Sequence, residues 1–388
     1  MIYFETEYFS LNKFLLLTIG LWPYKQSNFT RFQFIVLSNI LTTNVIFQCT
    51  TFISQRCTVD LIIKVLSSIF FFAIFVIKYN LFYINIKSMK ARLDQLLYVY
   101  NEMKDKNEIA IMNECGSNSK CYTVALTTLG FCSVFTILVA STWSNILLTN
   151  SSQSYHLMIA TEYFIDQEKY YYLILFHLFI SICIGSAVML GTGTILIMYF
   201  LHTIGLFKIA SYRIKRAMNT DMLRNINQTH PLIYKDLISA VNVHQQAMKL
   251  SGDLLSSFET MMFCLILFTV GSVSFNLFRI FQIMSSEENI KELIFPLLYA
   301  IITVLYMFIS NYMGQSIINY NHDIFATAYN VRWYVAPLYI QKMILFLLQR
   351  NSKSFTLNVG RLFVASIECF ATLVKTSVSY FTVIYSTQ

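Results

Sequence analysis

Residues 171–201 read YYLILFHLFISICIGSAVMLGTGTILIMYFL, without one Asp, Glu, Lys or Arg. The hydrocarbon core of a bilayer is about 30 Å thick, and a helix crosses it with roughly 20 apolar residues. A run this long and uncharged is a membrane span. Lipid offers the backbone no hydrogen bonds, so the span must be a helix. At about 1.5 Å per residue it reaches roughly 46 Å, so it should continue out of the hydrocarbon. Working outward, six further runs of this kind lie near residues 31–53, 61–79, 122–147, 258–281, 293–312 and 363–385. The expected fold is therefore all-α, a seven-transmembrane helical protein forming a single domain over residues 1–388. Composition agrees: 56% of the chain is hydrophobic and 12% charged, about half the charge of a soluble domain.

The basic residues orient the spans. Lys13, Lys25 and Arg31 precede or open the first span; six bases lie between spans 2 and 3, seven between 4 and 5, and five between 6 and 7. The other side carries only Arg56, Lys169, Arg279 and Lys291. Lys and Arg collect on the cytoplasmic side, which predicts a cytoplasmic N-terminus and an extracellular C-terminus. Seven-helix G-protein-coupled receptors run the opposite way, and their Asp-Arg-Tyr and Asn-Pro-x-x-Tyr motifs are absent. Retention of bases inside accounts for the net charge of +8 without a nucleic-acid partner.

Two connecting segments read as further helices. Residues 236–255 carry Leu237, Val241, Val243, Ala247 and Leu250 among polar residues, and residues 338–349 form a short apolar run. Together they predict a helical cytoplasmic anchor region, the alternative being helices that lie on the inner leaflet. Residues 14–22 read as a cytoplasmic or interfacial helix, with no cleavable leader. Asn150-Ser151-Ser152 is a glycosylation sequon on the expected outer side. The Cys and His spacings match no zinc site, and there is no acid/base cluster. No catalytic residue, metal or cofactor is expected, and the chain does not read as an enzyme.

On the last span, Thr372, Thr376, Ser379, Val383 and Ser386 recur at helical period. Small hydroxyl residues favour close helix packing. They also suit a pore, in which hydroxyls replace an ion's water and a ring of valine gates by dewetting. Asp60 and Lys64 are spaced to pair, Lys78 is expected to snorkel toward an interface, and Glu368 and Lys375 read as structural. Aromatic and small polar residues in the outer halves of spans 2, 3, 4 and 6 outline a pocket: Ser68, Phe72, Thr136, Val139, Trp143, Tyr172, Phe176 and Tyr299. An apolar cavity with few polar groups suits a small volatile ligand, although aromatics also favour membrane interfaces without any ligand.

Several segments resemble the insect odorant receptor family. Residues 17–24 (LTIGLWPY) are similar to its N-terminal segment, and residues 162–170 (EYFIDQEKY) to the second outer loop of hymenopteran members. The most specific are residues 329–334 (YNVRWY) with Pro337, and residues 373–383 (LVKTSVSYFTV). The resemblance implies a tuning subunit of a ligand-gated, nonselective cation channel in the plasma membrane of an olfactory sensory neuron. It further implies a tetramer formed with the insect odorant co-receptor, a pore lined by the last helix, and a small volatile organic ligand. The family's valine gate falls on Val383. Its next polar pore position falls on Ser386, where the co-receptor has Gln. The family's third-helix tryptophan falls on Trp143. The related gustatory receptors end in Thr-Tyr, five apolar residues and Gln-Phe. This chain has Ser379-Tyr380 and then Ser386-Thr387, which favours an odorant receptor over a gustatory or G-protein-coupled chemoreceptor.

Overall fold

A computed structural model describes residues 9–148, 159–218, 226–285, 290–350, 355–360 and 362–386. It is built of helices: α1 (Ser10–Thr18), α2 (Asn28–Cys49), α3 (Val59–Ile84), α4 (Ile86–Asn101), α5 (Lys106–Leu148), α6 (Tyr171–Ala217), α7 (Ile226–Ser257), α8 (Glu259–Ser285), α9 (Ile294–Asn330), α10 (Leu338–Arg350) and α11 (Ile367–Ser386). Seven of the described helices are long and apolar enough to cross a membrane: α2 with the added turn Thr51–Ser54, α3, α5, α6, α8, α9 and α11. Their surface is apolar as well as their core. Phe29, Phe131, Phe135 and Phe176 are exposed, whereas Ser181, Thr192, Thr203 and Asn276 are buried. Apolar surface facing out and hydroxyls packed between helices are what lipid selects.

Helices α3 and α6 form the centre, packed on each other and on α2; α8 packs on α3, and α5, α7 and α9 pack on α6. Close approach relies on glycine. A Cβ at Gly185 of α6 would sit 2.1 Å from the Phe75 ring of α3, and one at Gly271 of α8 would sit 2.5 Å from Phe70. Helix α2 begins at a capping box: Ser27 Oγ accepts from Thr30 N at 3.3 Å and Thr30 Oγ1 accepts from Ser27 N at 2.8 Å.

Helices α5, α6 and α9 have 43, 47 and 37 residues. At about 1.5 Å per residue each exceeds roughly 50 Å, far more than the hydrocarbon requires. Their extensions gather with α4, α7 and α10 at one end of the molecule, called here the bundle end. On α7 the buried stripe runs Ile233, Leu237, Ala240, His244, Ala247, Ser251 and Leu254, three and four residues apart, with Leu250 and Leu255 buried beside it. Val241 and Val243, expected in that stripe, are only half-buried. Helix α10 buries Ile340, Ile344 and Leu347. Ion pairs join the polar surfaces. Arg213 of α6 forks onto Glu108 of α5 at 2.7 and 2.6 Å and bonds Ser239 of α7. Arg216 grips Asp236 at 3.0 and 3.2 Å together with Asp105.

Several expectations are corrected. The helix expected over residues 14–22 is shifted toward the N-terminus: α1 ends at Thr18, Gly20 turns at φ +71°, and Leu16, Ile19 and Leu21 are buried in the core. The last span does not start at residue 363. Phe363–Val364 pairs with Asn358–Val359 in a small hairpin, and Ser366 Oγ accepts from Cys369 N at 3.1 Å to begin α11 at Ile367. Lys78 does not snorkel. It is fully buried, donates to Met189 O at 3.4 Å and lies 4.3 Å from the Tyr306 ring centre. Asp60 and Lys64 do not pair with each other: Asp60 meets Arg279, and Lys64 meets Glu292.

Gly185→Ala should drive a methyl group into Phe75 and destabilise the α3–α6 contact by about 1–3 kcal/mol. Adding Phe75→Leu should restore part of the loss, as read by the thermal stability of detergent-solubilised receptor.

Candidate functional site

Helix α11 packs on α8 and α9 by one face only. Leu373 and Ser377 are buried there; Leu373 joins Val270, Val273 and Met307, and Ser377 O accepts from Ser274 Oγ at 3.0 Å. The opposite face carries Glu368, Thr372, Lys375, Ser379, Thr382 and Ser386, all exposed, with Val383 exposed beside them. Thr376 is half-buried at its edge. The hydroxyls are held by their own helix: Thr372 Oγ1 donates to Glu368 O at 3.0 Å, Thr376 Oγ1 to Thr372 O at 2.8 Å, and Ser386 Oγ to Val383 O at 2.9 Å. Glu368 and Lys375 share this outward face, which sequence reading did not anticipate.

At the opposite end from the bundle lies a cavity of about 30 Å³. Lys64, Ser67 and Ser68 of α3 line it, with Arg279 of α8, Glu292, and Phe295 and Tyr299 of α9. Ile159 and Ala160, which follow α5, close it. Phe295 and Tyr299 supply its aromatic lining; behind them Phe71 stacks on Tyr299 at 4.1 Å between ring centres, while Phe72 and Phe295 meet the same ring edge-on at 6.1 Å each. Tyr299 is buried, and its hydroxyl has no hydrogen-bond partner among the described residues. The wall is ionic. Arg279, 3% exposed, donates to Asp60 at 2.7 Å, Glu292 at 2.8 Å and Gln282 at 3.1 Å, and Lys64 reaches Glu292 at 3.2 Å. Burial alone would raise the Glu292 pKa, but Lys64 and Arg279 outweigh it and hold the carboxyl below its ordinary value.

The segment beyond the cavity is clamped to α2 and α6. His177 of α6 joins Tyr163 OH at 2.8 Å and Thr43 Oγ1 at 3.2 Å, and Tyr163 stacks on Phe47 at 4.2 Å. Glu162 N donates to Phe47 O at 2.8 Å, and the Glu162 carboxylate accepts from Phe164 N at 2.9 Å, where the backbone turns at φ 54°.

Of the residues expected to line a ligand pocket, the structure brings together Ser68, Phe72 and Tyr299. Thr136, Val139, Tyr172 and Phe176 point outward on α5 and α6 and are exposed. Trp143 lies within α5, but its side chain is outside the described residues, as is Asn150 altogether. Ser67, Phe71, Phe295, Arg279 and Glu292 escaped the sequence reading. Arg279 alone carried a signal, as a base at the apolar end of an expected span.

The sequence model described as 7tm Odorant receptor matches residues 58–378, most of the chain. Among solved structures, the insect olfactory receptor OR5 from Machilis hrabei in complex with eugenol superposes with a TM-score of 0.81 at 12% identity, covering 100% of this chain and 99% of that one. The structure titled for OR5 alone gives 0.78 at 12% identity, covering 99% and 98%. At that identity the likeness establishes the fold. No curated protein matches the sequence.

Glu292→Gln should leave the buried Arg279 with less anionic compensation and destabilise the protein by about 1–3 kcal/mol at neutral pH. Because the Glu292 pKa is lowered on folding, its stabilisation is present above the ordinary carboxylate pKa and is lost as pH falls through the lowered value. The difference in melting temperature between wild type and variant should therefore shrink in acid.

Proposed function

The chain belongs to the 7tm odorant receptor family, and on that premise we propose that it is the tuning subunit of an odorant-gated, nonselective cation channel. It is a multi-pass membrane protein, and its site is the plasma membrane of an olfactory sensory neuron. The N-terminus and the bundle end face the cytoplasm, and the C-terminus and the cavity face outward. Four subunits, the insect odorant co-receptor among them, surround a pore lined by α11.

The observation that carries this reading is the outward face of α11. Glu368 and Lys375 are exposed on it, in line with Thr372, Ser379 and Ser386. An ionised side chain facing hydrocarbon costs about 2.5–3.5 kcal/mol near the centre of a helix. A water-filled axis between subunits removes that penalty, and one helix per subunit then supplies the ring that a pore requires. Val383, exposed near the end of α11, is placed to form a ring of apolar side chains that dewets when closed. The polar arginine and acid clusters of α5, α6 and α7 support placing the bundle end in water, and the excess of bases there supports the cytoplasm.

The ligand is a small volatile organic molecule, and its site is the cavity among Ser68, Phe72 and Tyr299. The relative of similar fold is in complex with eugenol, a small aromatic compound, which supports this size class. The cavity's present volume is far below the roughly 300 Å³ of a formed ligand pocket, so binding opens it. Opening would displace Ile159 and Ala160, which close the cavity. Opening at this end shifts α8 and α9, the two helices on which α11 rests, and that contact transmits binding to the pore.

Whole-cell recording with an odorant panel, with and without an insect co-receptor and with G-protein signalling blocked, tests this reading. A fast inward cation current that requires the co-receptor is expected. A response that appears only when the block is lifted would contradict it. Val383→Ala should widen the constriction and raise ligand-independent leak several-fold; an unchanged leak and selectivity would remove Val383 from the gate.

A further inference from the structure

The cavity's lining sets polar side chains of α3, α8 and Glu292 beside apolar Ile159, Ala160, Phe295 and Pro296. The volume of about 30 Å³ admits one water-sized group. Tyr299 lines it, and the Tyr299 hydroxyl, sealed from water, has no hydrogen-bond partner among the described residues, so a ligand meets it as the cavity opens. The other polar groups of the wall are engaged. Ser67 Oγ donates to Lys64 O and Ser68 Oγ to Val65 O, each at 2.9 Å, and Arg279 and Lys64 are held by Asp60, Glu292 and Gln282. A buried hydroxyl without a partner costs about 1–3 kcal/mol. A molecule that brings an acceptor oxygen there recovers that energy, while its body lies against Phe295, Pro296 and Ile159. An acid is disfavoured, because Glu292 and Asp60 already neutralise the two bases.

We propose that this receptor is tuned to neutral carbonyl volatiles, namely ketones, aldehydes or esters, and that the Tyr299 hydroxyl recognises the carbonyl oxygen by donating a hydrogen bond to it. The inference rests on the receptor reading above and names the chemistry of the same cavity. Tyr299 sets specificity here, since its hydroxyl distinguishes oxygen from a group of equal size that accepts no hydrogen bond.

The test uses full-length receptor with its co-receptor and matched pairs that differ by one atom group, such as acetophenone and α-methylstyrene, together with aliphatic methyl ketones and their methylidene isosteres. In wild type the ketone of each active pair should be more potent by about tenfold or more, the factor that about 1.4 kcal/mol supplies. In Tyr299→Phe, which keeps the stacked ring, that ratio should collapse toward one. It is read within a single receptor, so altered expression cancels.

Equal potency within wild-type pairs overturns the proposal without any variant, as does an unchanged ratio in Tyr299→Phe. Activation by acids, amines or hydrocarbons but by no carbonyl compound overturns it too. Silence to every pair while the ligand-independent current persists overturns the ligand class alone. Absence of any co-receptor-dependent current overturns the receptor reading beneath it.

Discussion

Hydrocarbon forms no hydrogen bonds, and the architecture follows from that deficit. It forces the seven spanning segments into helices whose backbones satisfy themselves. It also makes the surface apolar as well as the core, so that Phe131 and Phe135 face outward while Ser181, Thr192 and Asn276 are sealed between helices. Apolar burial drives association weakly in lipid, so the helices cohere through close contact and shared hydrogen bonds. Gly185 against Phe75 is one such contact. Asn276 of α8, donating to Ser67 O of α3 at 3.2 Å, is one such bond. Beyond the lipid the rules revert: the extensions of α5, α6 and α9 are held by apolar stripes and by arginine forks onto Glu108 and Asp236.

The same constraint separates what was legible in the sequence from what was not. Hydropathy is local, so the spans could be read directly, and residues 171–201 alone were enough to decide the class. Periodicity was legible as well; the hydroxyl and valine stripe of the last helix does lie on one outward face. Pairing across helices was another matter. Asp60 and Lys64 are spaced to meet each other, yet each found a partner from elsewhere in the chain, because Arg279 and Glu292 approach α3 from a different side. Lys78 has a stem long enough to snorkel, but Met189 O and the Tyr306 ring offered it a nearer environment. Thr136, Tyr172 and Phe176 carry the right chemistry for a pocket, and only helix rotation, invisible in sequence, turns them outward.

The proposed gating follows from how unequally the helices are held. Helices α3 and α6 pack against several neighbours, whereas the main contacts of α11 among the described residues are with α8 and α9. The cavity lies between α3 and those same two helices. In the proposed reading, a ligand that enlarges it acts on the two helices that α11 mainly packs against among the described residues.

The account depends most on the outward face of α11 meeting water rather than lipid, and cysteine accessibility tests this directly. Ser379→Cys and Ser386→Cys on that face would be compared with Ser377→Cys on the packed face, in co-receptor-containing channels, using a charged, water-soluble thiol reagent during activation. Rapid block of current at the first two positions and protection at the third is the predicted result. If Ser379→Cys and Ser386→Cys channels carry current that the reagent leaves untouched, while exposed cysteines elsewhere react, α11 faces lipid and the pore lies elsewhere.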